Sequence, residues 1–265
     1  MLNRASKPFV KLVEKYLPDP YIFVLLLTLI TLVFAVVIQD QSPLTTVQQW
    51  GDGFWGLLTF SMQMLLVLVT GFMLACTPLV KTLLENLARL AKSPGSAIVL
   101  VTLVSLTASW INWGFGLVVG ALFAKALARK VSVDYRLLVA SAYSGFIVWH
   151  GGLAGSVPLT IATPGHFSEA QIGVIGTSET IFSGFNLLLL AIMFVVIPLV
   201  NRLMLPPKSE SVIVDSTKLQ DDVLPSSANE RPADRLENSK ALGLLVGFAG
   251  LAYLTNYFIS TARSP

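Results

Sequence analysis

The run SPGSAIVLVTLVSLTASWINWGFGLVVGALFA, residues 93–124, holds 32 residues and no charge. Its middle reads Trp110-Ile111-Asn112-Trp113-Gly114-Phe115-Gly116, a polar and glycine-flanked interruption of an otherwise apolar segment. A helix needs about 20 residues to cross a hydrocarbon layer ~30 Å thick, so two crossings and a turn would need more than about 40. The run is too short for that. Basic residues flank both ends, Lys81, Arg89 and Lys92 before and Lys125, Arg129, Lys130 and Arg136 after, which puts both ends on the cytoplasmic face. The segment therefore reads as a re-entrant helical hairpin with its polar tip near mid-membrane. Non-helical backbone at that depth is tolerated only where protein buries it or water fills a cavity, which makes the tip a candidate binding site.

The rest of the chain agrees with a membrane setting. Of 265 residues, 54% are hydrophobic and 12% charged, with a mean hydropathy of +0.72. That is far from the make-up of a soluble domain. The net charge of +3 is no nucleic-acid signal, because the Lys and Arg residues are sorted by membrane side rather than gathered with aromatics. The single cysteine, Cys76, excludes an internal disulfide and a multi-cysteine metal cluster, and reads as a small packing residue.

Other charge-free runs cover 21–38, 53–80, 137–168, 180–201 and 241–262. Each is long enough to cross once. Seventeen of the 18 Lys and Arg residues lie in the amino-terminal arm, the 81–92 and 125–136 connections, or the stretch 202–240; only Arg263 lies elsewhere. The loops 39–52 and 163–179 hold Asp40, Asp52, Glu169 and Glu179 and no basic residue, so they belong outside. The expectation is an all-α polytopic membrane protein with about five transmembrane helices and a cytoplasmic N-terminus. Its parts are a first membrane repeat over 1–204 (spans 21–38 and 54–80, hairpin 93–124, broken span 137–162, span 180–204), a flexible cytoplasmic linker over 205–240, and a further span over 241–265. A basic amphipathic stretch (Arg4, Lys7, Lys11, Lys15) precedes the first span, and Pro18 and Pro20 end any helix arriving from it.

The third span should be interrupted. Residues 137–149 read as good helix, His150-Gly151-Gly152 breaks it, and 153–161 resumes through Gly155, Ser156 and Pro158. A discontinuous helix exposes backbone groups and half-helix ends at its break.

Asn112 carries an amide into a place where an unsatisfied polar group is expensive, so it should be hydrogen-bonded. Gly114 and Gly116 permit close approach, and Trp113 and Phe115 can wall a small apolar pocket suited to a carboxylate. The plain alternative is that Asn112 caps the second hairpin helix. His150 is a titratable group at depth, able to carry a coupling proton or pair with a substrate carboxylate; it can equally sit near the interface in a quiet hydrogen bond. His166 reads as solvated loop surface. Ser141, Ser144, Ser156, Thr160 and Thr163 present hydroxyls around the break, either as oxygen ligands for a transported sodium ion or as glue between helices. Glu179 reads as a favourable first-turn charge at an outer helix start. No catalytic set, resident metal site or cofactor motif is found, so the chain does not read as an enzyme.

Three stretches together, Lys15-Tyr16-Leu17-Pro18-Asp19-Pro20, Ile111-Asn112-Trp113-Gly114-Phe115-Gly116 and Ser144-Gly145-Phe146-Ile147-Val148-Trp149-His150-Gly151-Gly152-Leu153, resemble the bacterial short-chain fatty acid transporters. The resemblance runs from end to end. It implies uptake of acetoacetate, butyrate and related monocarboxylates across the bacterial cytoplasmic (inner) membrane as a symporter, within a superfamily of inverted-repeat secondary transporters with paired hairpins. By the same resemblance, Asn112 to Gly116 form a substrate or ion tip, with His150, Gly151 and Gly152 as the adjacent unwound helix. Ser144, His150, Ser156 and Thr160 are the residues expected to couple a proton or sodium ion. Expected partners are the small monocarboxylate, the coupling ion, the lipid bilayer and a second copy of the chain, with no nucleic acid. Family members are longer and carry a second half with its own hairpin, so the chain is expected to hold the first repeat and the opening of the second. The rival reading is a non-transporting membrane scaffold or assembly subunit, or an inactive half-transporter. It leaves the polar tip unexplained.

Overall fold

A computed structural model describes residues 2–17, 19–56, 58–215, 219 and 239–263. Every regular element among them is helical: α1 (Leu2–Tyr16), α2 (Pro20–Val37), α3 (Pro43–Gly56), α4 (Leu58–Ala75), α5 (Pro78–Ala88), α6 (Pro94–Ile111), α7 (Trp113–Ala128), α8 (Tyr135–Ser144), α9 (Ser156–Ile161), α10 (Glu169–Ile172), α11 (Gly184–Leu203) and α12 (Lys240–Arg263), with 3-10 turns at Gly145–Gly151 and Lys208–Glu210. The chain divides into two units, residues 1–219 and 220–265; the described part of the second is the single helix α12.

The hairpin forms where charge and length place it. Ser93 opens α6 with a capping box: its Oγ accepts from Ser96 N–H, and Ser96 Oγ accepts from Ser93 N–H at 2.9 Å. Pro94 follows at the first helical position, where its missing donor costs nothing. The chain reverses at Asn112 alone, which is extended (φ −154°, ψ 125°) and serves as last cap of α6 and first cap of α7. The two arms run antiparallel, with Gly116 against Ser109 and Gly120 against Ser105. A Cβ at Gly116 would lie 2.5 Å from Ser109 Cα, so only glycine permits that approach. Ile98, Val101, Phe123, Leu127 and Leu138 are fully buried between the hairpin and α8, joined by Leu84 of α5.

Among the described residues, three long apolar stretches qualify as spans by length and composition: Pro94–Ile111, Tyr135–Ile161 and Gly184–Leu203. The pair Ser61–Ala75 and Pro78–Ala88 makes a fourth, bent by 64°. The first and last expected spans are represented by shorter apolar helices, Tyr21–Val37 and Gly243–Ala252. The single second span expected over 54–80 is thus broken. Thr77 Oγ1 accepts from Val80 N–H and Pro78 starts a new helix, a cap signal that hydropathy alone does not register.

The outer loop read over 39–52 is also largely helix: Ser42 Oγ accepts from Thr45 N–H at 3.1 Å at the head of α3. The interrupted third span holds, but its α-helix ends at Ser144, earlier than the expected 149. From Gly145 the chain tightens into a 3-10 turn through Gly151 and a bend to Gly155. Gly145 lies against Ser105 and Leu106 of α6, where a Cβ would come within 2.6 Å of backbone, and that contact fixes where the helix tightens. Glu179 stands in a turn ahead of α11 rather than in its first turn, which begins at Gly184 under a Ser183 cap.

The expected cytoplasmic connections gather at one end of the first unit. Lys130 Nζ donates to Glu85 O (2.9 Å), Gly95 packs on Arg202, and Arg129 Nη1 donates to Leu219 O (3.1 Å). Asp134 caps α8 from within that end: its Oδ1 accepts from Leu137 N–H and its Oδ2 from Arg136 Nη2 and Val212 N–H. Burial works to raise its carboxyl, but Arg136 and the two backbone N–H groups outweigh it and hold Asp134 below the ordinary aspartate range. Residues 206–215 of the expected linker therefore dock on the start of α8, with Tyr135 N–H donating to Val212 O at 2.9 Å. Residues 216–218 and 220–238 of that linker lie outside the described residues.

Candidate functional site: the hairpin tip and the broken helix

Asn112 is half-buried, and its Oδ1 accepts from Phe115 N–H at 3.0 Å, so the capping reading is met. The cap uses only half of the amide. Among the described residues, Nδ2 has no hydrogen-bond partner, nor do the N–H groups of Trp113 and Gly114 in the first turn of α7. Those donors sit at the positive end of a 16-residue helix.

The break in the third span lies directly against this tip. Leu153 N–H donates to Trp110 O at 2.7 Å, tying the bend to the last turn of α6. Gly152 is buried there, where a Cβ would lie 2.5 Å from Trp110 O and 3.0 Å from its Cα. Side chains close the same seam: the Trp113 and Trp149 rings are 5.3 Å apart, Phe146 and Trp149 4.8 Å, and Trp113 and Phe146 6.3 Å edge to face. Phe115 packs in the hairpin core, with Gly71 and Val67 of α4 against the start of α7.

Among the described residues, four buried side-chain polar atoms lack a partner: Ser109 Oγ, Trp110 Nε1, Ser141 Oγ and Trp149 Nε1. Each buried donor left unmade costs about 1–3 kcal/mol. Two of them, Trp110 and Trp149, belong to the residues that join the tip to the break.

His150 is exposed, and its ring stacks on Trp149 (4.3 Å, 18°) without a hydrogen bond among the described residues. It joins the aromatic seam from the outside. Gly151 is held instead by Asn186 of α11, whose Nδ2 donates to Gly151 O (3.0 Å) and Ile181 O (2.7 Å). Ser144 donates to Ser141 O (2.7 Å) and accepts from Asn201 Nδ2 (2.8 Å), which also donates to Thr102 Oγ1 (3.1 Å). Ser144 thus acts as helix glue toward α11. Thr160 Oγ1 bonds back to Ser156 O, Thr163 Oγ1 back to Leu159 O, and Ser156 Oγ reaches only Met64 Sδ, at 3.9 Å. Of the four residues expected to couple an ion, Ser144 turns to α11, His150 stacks on Trp149, Ser156 reaches toward α4 and Thr160 bonds to Ser156.

His166 departs from the solvated reading. It is half-buried, with Nδ1 accepting from Ser168 N–H (3.2 Å) and Nε2 paired with Gly173 O (3.0 Å), so it organises the 163–173 loop. Asn186 and Asn201 are the amides holding the broken span that sequence reasoning missed. Both are amides in the charge-free run 180–201, and the argument applied to Asn112 applies equally to them.

Residues 1–263 match the family model described as short chain fatty acid transporter. Two curated relatives, both provisionally named short-chain fatty acid transporters, come from Escherichia coli (strain K12), 46% identical over 264 residues, and Haemophilus influenzae (strain ATCC 51907 / DSM 11121 / KW20 / Rd), 40% identical over 269. Each alignment covers 97% of this chain, and the chain spans 60% of the length of each relative. No solved structure matches it. A family match from the first residue to 263, with two relatives at 40% identity or more, makes this chain a member of the short-chain fatty acid transporter family.

Proposed function

We infer that the protein is a secondary transporter that imports short-chain monocarboxylates across the bacterial cytoplasmic membrane, driven by a proton or sodium gradient. One juxtaposition carries the reading: an unpartnered donor set at the start of α7 lies against the break in the third span. A carboxylate brings two acceptor oxygens and a short alkyl tail. The Asn112 amide, the first N–H groups of α7 and the indole donors Trp110 and Trp149 suit the oxygens; the Trp113, Phe146 and Trp149 faces suit the tail. No Lys or Arg lies between residues 93 and 124, so charge balance falls to the helix end and the coupling ion.

The hairpin's dimensions support a tip inside the layer. The register of Gly116 on Ser109 and Gly120 on Ser105 sets Lys125 level with about residue 100, so the start of α6 extends beyond Lys125 on the cytoplasmic side. From Lys125 to Trp113 is 12 residues of helix, about 18 Å of a layer ~30 Å thick. That depth passes the midplane and stops short of the far surface. In this reading residues 1–204 form one membrane repeat, 205–240 the cytoplasmic connection and 241–265 the first span of a following repeat.

The test uses two readouts. Vesicles containing the protein should accumulate radiolabelled butyrate or acetoacetate above empty vesicles under an imposed proton or sodium gradient, and butyrate should change the tryptophan emission of the purified protein. Neither accumulation under either gradient nor any emission change would reject the reading.

A further inference from the structure

The first helix carries a surface that the transport site does not use. At about 100° per residue, Lys7, Lys11 and Lys15 of α1 fall on one side, while Phe9, Leu12, Val13 and Tyr16 fall on the opposite side. All four apolar side chains are exposed, Phe9 by 69% and Tyr16 by 66%. Only the polar side is fastened to the protein: Lys7 Nζ pairs with Glu210 Oε2 at 2.7 Å, and Lys7, Val10 and Lys11 line a cavity of about 540 Å³ together with Arg136 and Glu210. Lys11 holds no ion pair among the described residues.

Where this helix sits decides what its bare side meets. α1 ends at Tyr16, and the apolar helix of the first span begins at Pro20 under an Asp19 cap, so the bilayer lies within four residues of its end. Its polar side is pinned to Glu210, whose carbonyl accepts from Arg136 Nη2 (3.1 Å), at the end of the unit where the basic connections gather. That is the leaflet which carries anionic headgroups in a bacterial cytoplasmic membrane. A polar face bearing lysines, an opposite face of Phe, Leu, Val and Tyr, and a position at the membrane boundary are the features of a helix that lies in the interfacial plane.

We propose that α1 is an interfacial helix that docks on the anionic inner leaflet, with Phe9, Leu12, Val13 and Tyr16 among the upper acyl chains and Lys11 and Lys15 at the phosphates. Lys7 stays with Glu210 and thereby ties the docked helix to the Arg136–Asp134 pair at the head of α8, the first half of the broken span. The transport assignment is not needed for this inference; membrane insertion is.

Site-directed spin labels on the whole chain test it. In a Cys76→Ser background, Phe9→Cys, Val13→Cys and Lys11→Cys are labelled singly in vesicles of phosphatidylcholine alone or mixed with phosphatidylglycerol. With phosphatidylglycerol present, labels at 9 and 13 should be accessible to lipid-soluble oxygen and shielded from a water-soluble nickel chelate, with the reverse at 11. Lys11→Gln and Lys15→Gln should each lower the docked fraction relative to the undocked about fivefold in those vesicles, with little effect in phosphatidylcholine alone. Chelate access at 9 and 13 in both lipids would overturn the proposal. So would shielding from both reagents, which means a protein surface covers the helix, or docking that ignores lipid charge.

Discussion

The hairpin and the broken span are built from similar material and solve opposite problems. Both are long charge-free stretches interrupted by glycine and aromatic residues, yet the hairpin reverses at one residue while the span unwinds over 145–155. Asn112 meets the hairpin's needs internally, closing α6 and opening α7 with its own backbone and side chain. The break has no such residue. Beyond its own 3-10 and turn bonds it leans on other elements, with Asn186 of α11 donating to Gly151 O and Trp110 O of α6 accepting from Leu153 N–H. A reversal that caps itself is held wherever the hairpin goes. An interruption held by neighbours changes when they shift, so under the proposed function the break is the wall expected to move and the tip the one expected to stay.

The largest break in this contrast should come from Gly152→Val. Its side chain would enter the space held by Trp110 O, forcing tip and break apart; overpacking of this kind costs about 1–3 kcal/mol. Butyrate accumulation should be abolished and thermal stability in detergent lowered. Retained uptake would show that the seam is not part of the site.

Asn112→Asp sharpens the comparison at the tip. An aspartate still accepts from Phe115 N–H and so keeps the cap, but it removes the Nδ2 donor and sets a negative charge where a carboxylate is to bind. Losing a hydrogen bond to a charged group corresponds to about tenfold or more in affinity, so the butyrate response should fall by that factor while the melting temperature stays close to that of the unaltered protein. Equal losses of both would reduce Asn112 to a cap.

Asn186→Ala probes the break from the other side. It leaves Gly151 O and Ile181 O without their donor, a loss of about 1–3 kcal/mol confined to that region. Amide hydrogen exchange should quicken over 145–155 and remain unchanged over 105–120. Faster exchange in both would mean the two regions open together.

The smallest effect concerns Asp134. Its carboxyl is held below the usual range in the folded protein, so its contribution to stability is full above about pH 4 and is lost as pH falls through the folded value. Thermal unfolding from pH 7 down to acid should show the unaltered protein converging on Asp134→Ala only at the acid end, from a difference of about 1 kcal/mol at neutral pH. A difference independent of pH would remove the carboxylate from the explanation.

These contrasts also mark what the sequence made legible. The hairpin and its tip were readable because charge, length and a lone amide all pointed to one place. The bend at Thr77-Pro78 and the helix after Ser42-Pro43 were equally written in the chain, as cap residues followed by proline, but they lie in stretches judged by hydropathy and sidedness, which carry no information about breaks. The early tightening at Gly145 was not readable at all, because its cause is the Ser105 backbone 40 residues away in sequence. In the site, Asn112 was found as the one amide beside glycines, whereas Asn186 and Asn201 were passed over within a run read only for length. The orphaned indole of Trp149 is a property of three-dimensional packing, not of spacing.

The one-residue turn at Asn112 leaves the hairpin no slack. Each residue added to a helix rotates everything beyond it by about 100°. A single insertion between Ile111 and Trp113 would therefore swing Gly116 and Gly120 away from Ser109 and Ser105 and drive bulkier neighbours into the seam. Chain length at this point should be the least negotiable dimension of the protein, with changes of residue type tolerated at many places where a change in residue number is not.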